Sequence, residues 1–348
     1  MQLINIDDMK QVVRHVVIGE NEPAWFHGPA GCGKSQGAEQ ACAEEDAQLI
    51  DFRLGQYDSV DLRGFPGVDA LTNTTVWHMP STLPFIGNPK FDPDRKKVIF
   101  FDEADHAREG VKGITYQLTQ ERRVGEHVLQ PNTFIMLAGN RAQDKGIGGK
   151  TPGPLNNRCT HYEVGPDADV WCFWAATQPR IPAEFLAFLQ FRKELISTFD
   201  PKSPAPEFAT PRTWEKAAHY FTNQAMPERI RDASIEGSIG AGPAAELNAF
   251  VRVIKDMPSL KQIAADPEGS PLFESKPEIR WALAVGIGGE MDTATVPAFQ
   301  RYLNRLDPEF AILAWQLGLR KKEELLGTPQ FIDMSRKHQA IFAAANRG

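Results

Sequence analysis

The sequence predicts an α/β fold, a parallel sheet in the first half of the chain, followed by a second half built of helices. Three observations carry that expectation. Short apolar runs alternate with helix-patterned stretches up to about residue 165. A glycine-rich segment, GPAGCGKS, lies between the first clear strand signal and the helix-like stretch that follows it. From Asp167 onward the strand signals stop, and apolar residues recur at helical spacing.

The strand signals, in order, are AWFHG (24 to 28), QLIDFRL (48 to 54), VIFFDEAD (98 to 105), TFIMLAGN (133 to 140) and CTHYEV (159 to 164). Between the third and fourth, Arg-Val-Gly-Glu-His-Val reads as strand, turn and strand. In the second half Phe185, Leu186, Phe188, Leu189, Leu195 and Ile196 share a helical spacing. The Pro-rich stretch at 200 to 211 reads as a loop, with Thr210 as the N-cap and Pro211 as the first residue of a new helix. Helical patterns continue through Leu247, Phe250, Val251 and Ile254, then Phe299, Tyr302, Leu303 and Leu306. The expected division is therefore an α/β domain over 1–165, a small helical domain over 166–225 and a helical C-terminal extension over 226–348.

Composition narrows the function classes. Of 348 residues, 42% are hydrophobic and 24% charged, with a formal net charge of -7, which excludes collagen-like, disordered and disulfide-scaffold chains. Residues 1–165 carry 17 basic and 22 acidic side chains and the remainder 21 and 23, so neither half offers a basic surface for nucleic acid. Cys32, Cys42, Cys159 and Cys172 form no CxxC pair, and MQLINIDDMK lacks the charged-then-apolar pattern of a signal segment. No apolar run approaches the roughly 18 to 20 residues of a membrane-spanning helix. A soluble protein of the reducing cytoplasm is the expectation.

The chemistry starts at GPAGCGKS, residues Gly28, Pro29, Ala30, Gly31, Cys32, Gly33, Lys34 and Ser35, which matches GxxxxGK[ST]. Glycines let the backbone wrap phosphates with its N–H groups pointing inward, and the following helix adds its positive end. Lys34 is expected to reach the β and γ phosphates of ATP, and Ser35 to place its hydroxyl on Mg²⁺. Four apolar residues, Val98 to Phe101, then run into Asp102 and Glu103. Alone, such a pair is an ordinary strand cap. Beside a phosphate loop, Asp102 holds Mg²⁺ through water and Glu103 polarises the attacking water, which implies hydrolysis. Asn140 ends the next strand and can orient that water without competing for its proton. Arg158 and Arg212 flank the site in sequence, and planar guanidiniums suit the spread charge of a transferring phosphoryl group. Arg212 in a first helical turn opposes the macrodipole, a conflict that an anionic ligand relieves.

In order and spacing these residues resemble the AAA+ ATPases, and among them the MoxR branch of ring-forming, chaperone-like enzymes. The resemblance covers roughly residues 1–225. It implies that GPAGCGKS is Walker A, VIFFDE is Walker B, Asn140 is sensor 1, Arg158 is the arginine finger and Arg212 is sensor 2. DLRGFPG (61 to 67) with the strand-like TTVWHMP resembles the helix-2 insertion, and QERRVGEHVLQPN (120 to 132) the hairpin before sensor 1. DADVWCFWAATQPRIPAEFLAFL and ATPRTWEKA resemble the small lid domain. The resemblance further implies a ring, expected to be a hexamer, that remodels a protein partner. That partner is often a protein with a von Willebrand factor A domain.

Two other classes share parts of this pattern. A nucleic-acid motor or clamp loader uses the same fold, but the acidic balance opposes it. The basic clusters are Arg122 with Arg123, and Arg320, Lys321 and Lys322, the latter followed at once by Glu323 and Glu324. A small-molecule phosphotransferase would not need Asn140, Arg158 and Arg212 in this order.

Overall fold

The computed structural model describes residues 1–141, 144, 157–255 and 257–338. It divides into two compact units, Met1–Gly165 and Pro166–Gly348.

The first unit is built on a parallel sheet. Its strands are β1 (Leu3–Ile4), β2 (Ala24–His27), β3 (Gln48–Arg53), β6 (Lys97–Asp102), β9 (Thr133–Gly139) and β10 (Thr160–Val164), in the spatial order β1-β10-β2-β9-β6-β3. All pairings in this sheet are parallel. Between them lie two short antiparallel hairpins, β4 (Phe65–Val68) with β5 (Thr75–His78) and β7 (Arg123–Val124) with β8 (His127–Val128).

The central strands read as continuous apolar runs because both faces are covered. Along β6 the side chains alternate between two cores. Ile99 and Phe101 join Trp25, Phe52 and Leu137 on one face, where helix α4 (Glu109–Glu121) supplies Val111, Ile114 and Leu118. Val98 and Phe100 join Phe26, Met136 and Ala138 on the other. That second face is covered by α1 (Ile6–Val12), its π-helical continuation Val13–Gly19, and α2 (Lys34–Glu44). Lys97 opens β6 fully buried, and its ammonium is held by the carbonyls of Asp92 (2.6 Å), Arg95 (2.6 Å) and Pro93 (3.4 Å). Burial pushes its pKa down, although Asp92 and Asp94 oppose the shift.

Helix α3 (Ser59–Arg63) completes the first unit, and the second is helical throughout its described residues. Its elements begin with α5 (Ala168–Ala175), α6 (Ala183–Phe191), α7 (Pro211–Thr222), α8 (Glu228–Ile239) and α9 (Ala241–Ile254). They continue with α10 (Leu260–Ala265), α11 (Pro277–Glu290), α12 (Val296–Leu303), α13 (Pro308–Lys321) and α14 (Pro329–Lys337). The Thr210 hydroxyl accepts from the Thr213 N–H at 3.2 Å and Pro211 takes the first helical position, the start the sequence signals. One hydrophobic core includes buried residues from Ala168 to Met334, drawn from both sides of residue 225. Buried indoles lock it through hydrogen bonds. Trp214 donates to the Leu195 carbonyl at 2.8 Å, and Trp315 to Gln300 Oε1 at 2.6 Å.

Helices α11 and α13 approach each other at Gly288, where an added Cβ would lie 2.6 Å from the Ala314 carbonyl oxygen and 2.9 Å from Leu317 Cβ. Gly288→Ala is therefore expected to destabilise the protein by about 1 to 3 kcal/mol through overpacking. Gly237 in α8 has no atom within 4 Å of such a Cβ, and Gly237→Ala should stabilise by about 0.5 kcal/mol through helix propensity. Urea unfolding followed by tryptophan fluorescence checks both signs, and equal midpoints for the two variants would refute the packing argument.

Candidate functional site

Strand β2 lies between β9 and β10, and the chain leaves its carboxyl end through residues 28–33 before α2 begins at Lys34. The Gly28 N–H donates to the Gly139 carbonyl at 3.1 Å, which ties the loop to the end of β9. A Cβ at Gly28 would stand 2.4 Å from the Val164 carbonyl oxygen of β10, so only glycine fits between these strand ends. Gly31 (φ 74°) and Gly33 (φ 106°) occupy the left-handed region. Gly33 caps α2 without a side-chain hydrogen bond, so no side chain there competes for the first N–H groups of the helix. The Lys34 ammonium bridges the Gly28 carbonyl (2.8 Å) and the Pro29 carbonyl (3.0 Å) across the mouth of the loop. Cys32 is buried beneath it, with its sulfur 3.8 Å from that ammonium. Pro29 and Ala30 form the outer turn, Pro29 buried and Ala30 exposed.

The next helical residue, Ser35, donates its hydroxyl to Asp102 Oδ2 at 2.8 Å, joining the loop to the end of β6. The other carboxylate oxygen, Oδ1, accepts from the Glu103 N–H at 2.9 Å. Glu103 itself takes a left-handed backbone (φ 54°) and projects an exposed carboxylate. On β3, paired in register beside β6, Asp51 adds a third acid. Its pKa is raised by burial first and by Asp102 next, with Arg53 opposing and Glu103 adding to the rise. A hydroxyl and a carboxylate in contact, with further carboxylates around them, form a hard oxygen donor set suited to Mg²⁺. Among the described residues no three or more His, Cys, Asp and Glu side chains form a metal cluster of their own. A Ser–Asp pair that takes a cation together with phosphate oxygens is consistent with that.

Asn140 follows β9 at the same edge of the sheet, half-buried, and its N–H donates to Asp105 Oδ1 at 3.3 Å. Lys34, Ser35, Asp102, Glu103 and Asn140 are thus gathered at the carboxyl ends of adjacent parallel strands, where open α/β sheets place their ligands.

Of the two arginines, only Arg158 shares a unit with these residues. Arg158 precedes β10, at the amino end of that strand, whereas Gly28 packs against Val164 at its carboxyl end. The strand Thr160–Val164, about 13 Å from its first to its last Cα at roughly 3.3 Å per residue, lies between Arg158 and the level of its own phosphate loop. Its guanidinium lies over the Tyr116 ring of α4, 5.9 Å from the centroid. Arg212 is exposed in the first turn of α7, in the second unit. Arg122, from one of the basic clusters, is the C-cap of α4 and donates to the Thr133 carbonyl and to Asn21 Oδ1, a structural role. Arg123 donates to the Gly125 carbonyl within its own hairpin at 2.7 Å. The residues just before Arg158, 151–156, lie outside the described residues.

Asp51 and Asp105 stand at the site although no motif singles them out, and so does a histidine pair. His27 Nε2 and His161 Nδ1 lie 2.8 Å apart on neighbouring strands, with Trp25 stacked on both rings. Strand alternation places Trp25 and His27 on one face, but it gives no sign of His161, which folding brings up on β10. Burial pushes the thiols of Cys42 and Cys159 up to about 12 and raises that of Cys172 as well; Cys42 and Cys172 are buried and Cys159 half-buried.

Gly28→Ala should lower ATP affinity by more than about tenfold, because the new methyl must displace either the loop or the end of β10. Gly113→Ala in α4, where nothing lies within 4 Å of the added methyl, should leave it unchanged. Titration with a fluorescent ATP analogue compares the two, and wild-type affinity in Gly28→Ala would show that the loop does not hold phosphate.

No protein-family model matches the chain, and no match is found among curated proteins. Distant likenesses exist among solved structures. NtrX from Brucella abortus in complex with ADP aligns with a TM-score of 0.43 at 12% identity, over 96% of this chain and 67% of that one. A point mutant of RuvB from Thermotoga maritima aligns with a TM-score of 0.40 at 14% identity, over 72% of this chain and 71% of that one. Hsp104 in its closed state with ATPγS and FITC casein gives 0.34 at 14%, over 70% of this chain and 45% of that one. The strand order, the parallel register and the glycine loop between β2 and α2 define the chain's own fold as that of an α/β P-loop NTPase with a helical second unit.

Proposed function

We propose that this protein is a Mg²⁺-dependent ATPase of the AAA+ type, built on the MoxR pattern, that acts as a ring on a protein partner. The observation that carries the chemistry is the Ser35–Asp102 hydrogen bond directly behind the phosphate loop, with Glu103 and Asn140 at the same sheet edge.

The backbone N–H groups of residues 30–35 bind the phosphates, since Pro29 has none and that of Gly28 is held by the Gly139 carbonyl, and Lys34 exchanges its two loop carbonyls for β and γ oxygens. Ser35 and Asp102 are the residues that would hold Mg²⁺, which supplies neutralisation of the charge that develops on the phosphoryl oxygens. Glu103, exposed on its left-handed turn, accepts a hydrogen bond from the attacking water and draws off its proton. The Asn140 amide orients that water. The reaction transfers the γ-phosphoryl group to water and yields ADP and inorganic phosphate.

Arg158 supports assembly. It lies far from its own phosphate loop, so the natural use of its charge is on the γ-phosphate of a neighbouring subunit, as the resemblance implies. Arg212 keeps the role the resemblance implies for it, as an exposed cation at the start of α7. A ring, hexameric by resemblance, and a partner with a von Willebrand factor A domain follow from the same likeness. The net charge of -7 favours a protein over a nucleic-acid client. No helix among the described residues is long and apolar enough to cross a membrane.

Lys34→Ala should abolish ATP binding, whereas Glu103→Gln should bind ATP and hydrolyse it at least about 100-fold more slowly. Near wild-type turnover in Glu103→Gln would reassign the water-polarising role. A second test mixes Lys34→Ala subunits with Arg158→Ala subunits, each inactive alone. A trans-acting arginine contributes about 10³ to 10⁵ in rate, so hydrolysis should reappear where an intact loop meets an intact arginine. Verified mixed assemblies with no recovered activity would contradict the trans role.

A further inference from the structure

Two residues beyond Glu103, Asp105 sits in the tight turn Ala104–His106 with its side chain only 1% exposed. Its Oδ1 accepts the Asn140 N–H at 3.3 Å. The same oxygen lies 2.7 Å from where a Cβ would stand at residue 139, so β9 must end in glycine for the carboxylate to reach past it. Its Oδ2 lies 3.4 Å from His106 Nδ1. The Glu103 carbonyl accepts the His106 N–H at 2.9 Å, closing the turn that carries the exposed acid.

A nearly dry carboxylate is an unfavourable way to fasten a turn, since burial of a charge destabilises the fold unless hydrogen bonds offset it. A left-handed backbone at a non-glycine residue costs of order 1 kcal/mol as well and persists only where its surroundings over-determine it. Both penalties fall within three residues, and both lead to the same result. The turn bearing Glu103 is fastened to the main chain of Asn140. From this we infer that Asp105 is a positioning residue, which fixes the water-orienting Asn140 amide relative to the Glu103 carboxylate by holding the Asn140 main chain. The inference rests on the ATPase reading given above. The Asp105 side chain is buried, with its Oδ1 on the Asn140 main chain. It acts through Asn140, and its loss should change the rate of the chemical step while leaving nucleotide binding intact.

The experiment is a double-mutant cycle in the full chain with Asp105→Ala, Asn140→Ala and the pair, reading kcat, KM for ATP, affinity for a fluorescent ADP analogue and the melting temperature. Misplacing a reacting group by about 1 Å costs on the order of 100-fold, so Asp105→Ala should lower kcat roughly 10- to 100-fold, with KM and ADP affinity within about twofold of wild type. Asp105→Asn keeps an Oδ1 acceptor and should recover most of the rate. In the Asn140→Ala background the side chain to be positioned is gone, and Asp105→Ala should then cost less than about threefold. Where Asp105→Ala does not fold, Asp105→Ser, too short to reach the Asn140 N–H, takes its place in the cycle. The inference is overturned if kcat is unchanged, if the two losses multiply, or if KM rises while ADP affinity and melting temperature fall together with kcat. Glu103→Gln, run alongside, separates the two layers. Wild-type turnover there removes the ATPase assignment itself, whereas an inactive Glu103→Gln beside a fully active Asp105→Ala removes only the role of Asp105.

Discussion

Everything at the site depends on the parallel register of β2 with β9 and β10. Strands buried on both faces can carry almost nothing but apolar side chains, so polar groups are confined to the residues where the strands end. Because the strands run the same way, those ends share one edge. Gly28 fixes the alignment, donating its N–H to Gly139 on one side and lying against the Val164 carbonyl on the other. From that single junction the loop enters α2, Ser35 meets Asp102, and Asn140 comes level with the turn that carries Glu103.

The same constraint explains what the sequence alone can show. All five long sheet strands are legible, because a strand covered on both sides reads as an apolar run, and the observed ranges differ from the runs by one residue at their ends, except that β6 stops at Asp102, three residues short of the run ending at 105. The start of α7 is legible because Thr210 and Pro211 act locally. Strand β1 is not, since two residues, Leu3 and Ile4, make no pattern. The order of strands is invisible in the same way, being a property of crossovers rather than of any segment. Within the site, the phosphate loop and Asp102–Glu103 can be read because their chemistry is contiguous in sequence. Asp51, Asp105 and the His27–His161 pair cannot, because each matters only through a neighbour brought up by folding from 35 or more residues away. Arg122 illustrates the converse. Its charge suggests a function, but its position as the helix cap gives it a structural task.

Stability and function pull against each other at this edge. Burial first, and then the charges of Asp102 and Glu103 against the opposing Arg53, raise the pKa of Asp51, and Glu103 holds an unfavourable backbone. Such an arrangement is better suited to a bound divalent cation and nucleotide than to the isolated chain, and ligand binding should stabilise the fold accordingly. Arg158 adds a second incompleteness. It precedes β10, at the end of that strand away from the phosphate loop, and under the proposed function its charge would serve a neighbouring subunit.

The central claim is that the loop after β2 and the carboxylate ending β6 form one metal–nucleotide site. Electron paramagnetic resonance of Mn²⁺, used in place of Mg²⁺, tests it most directly. With ATP present, Glu103→Gln protein should immobilise one Mn²⁺ per chain, and adding Ser35→Ala should weaken that binding while leaving metal-free ATP affinity nearly unchanged. Nucleotide that binds while Mn²⁺ stays free in solution, or Mn²⁺ binding indifferent to Ser35, would contradict it.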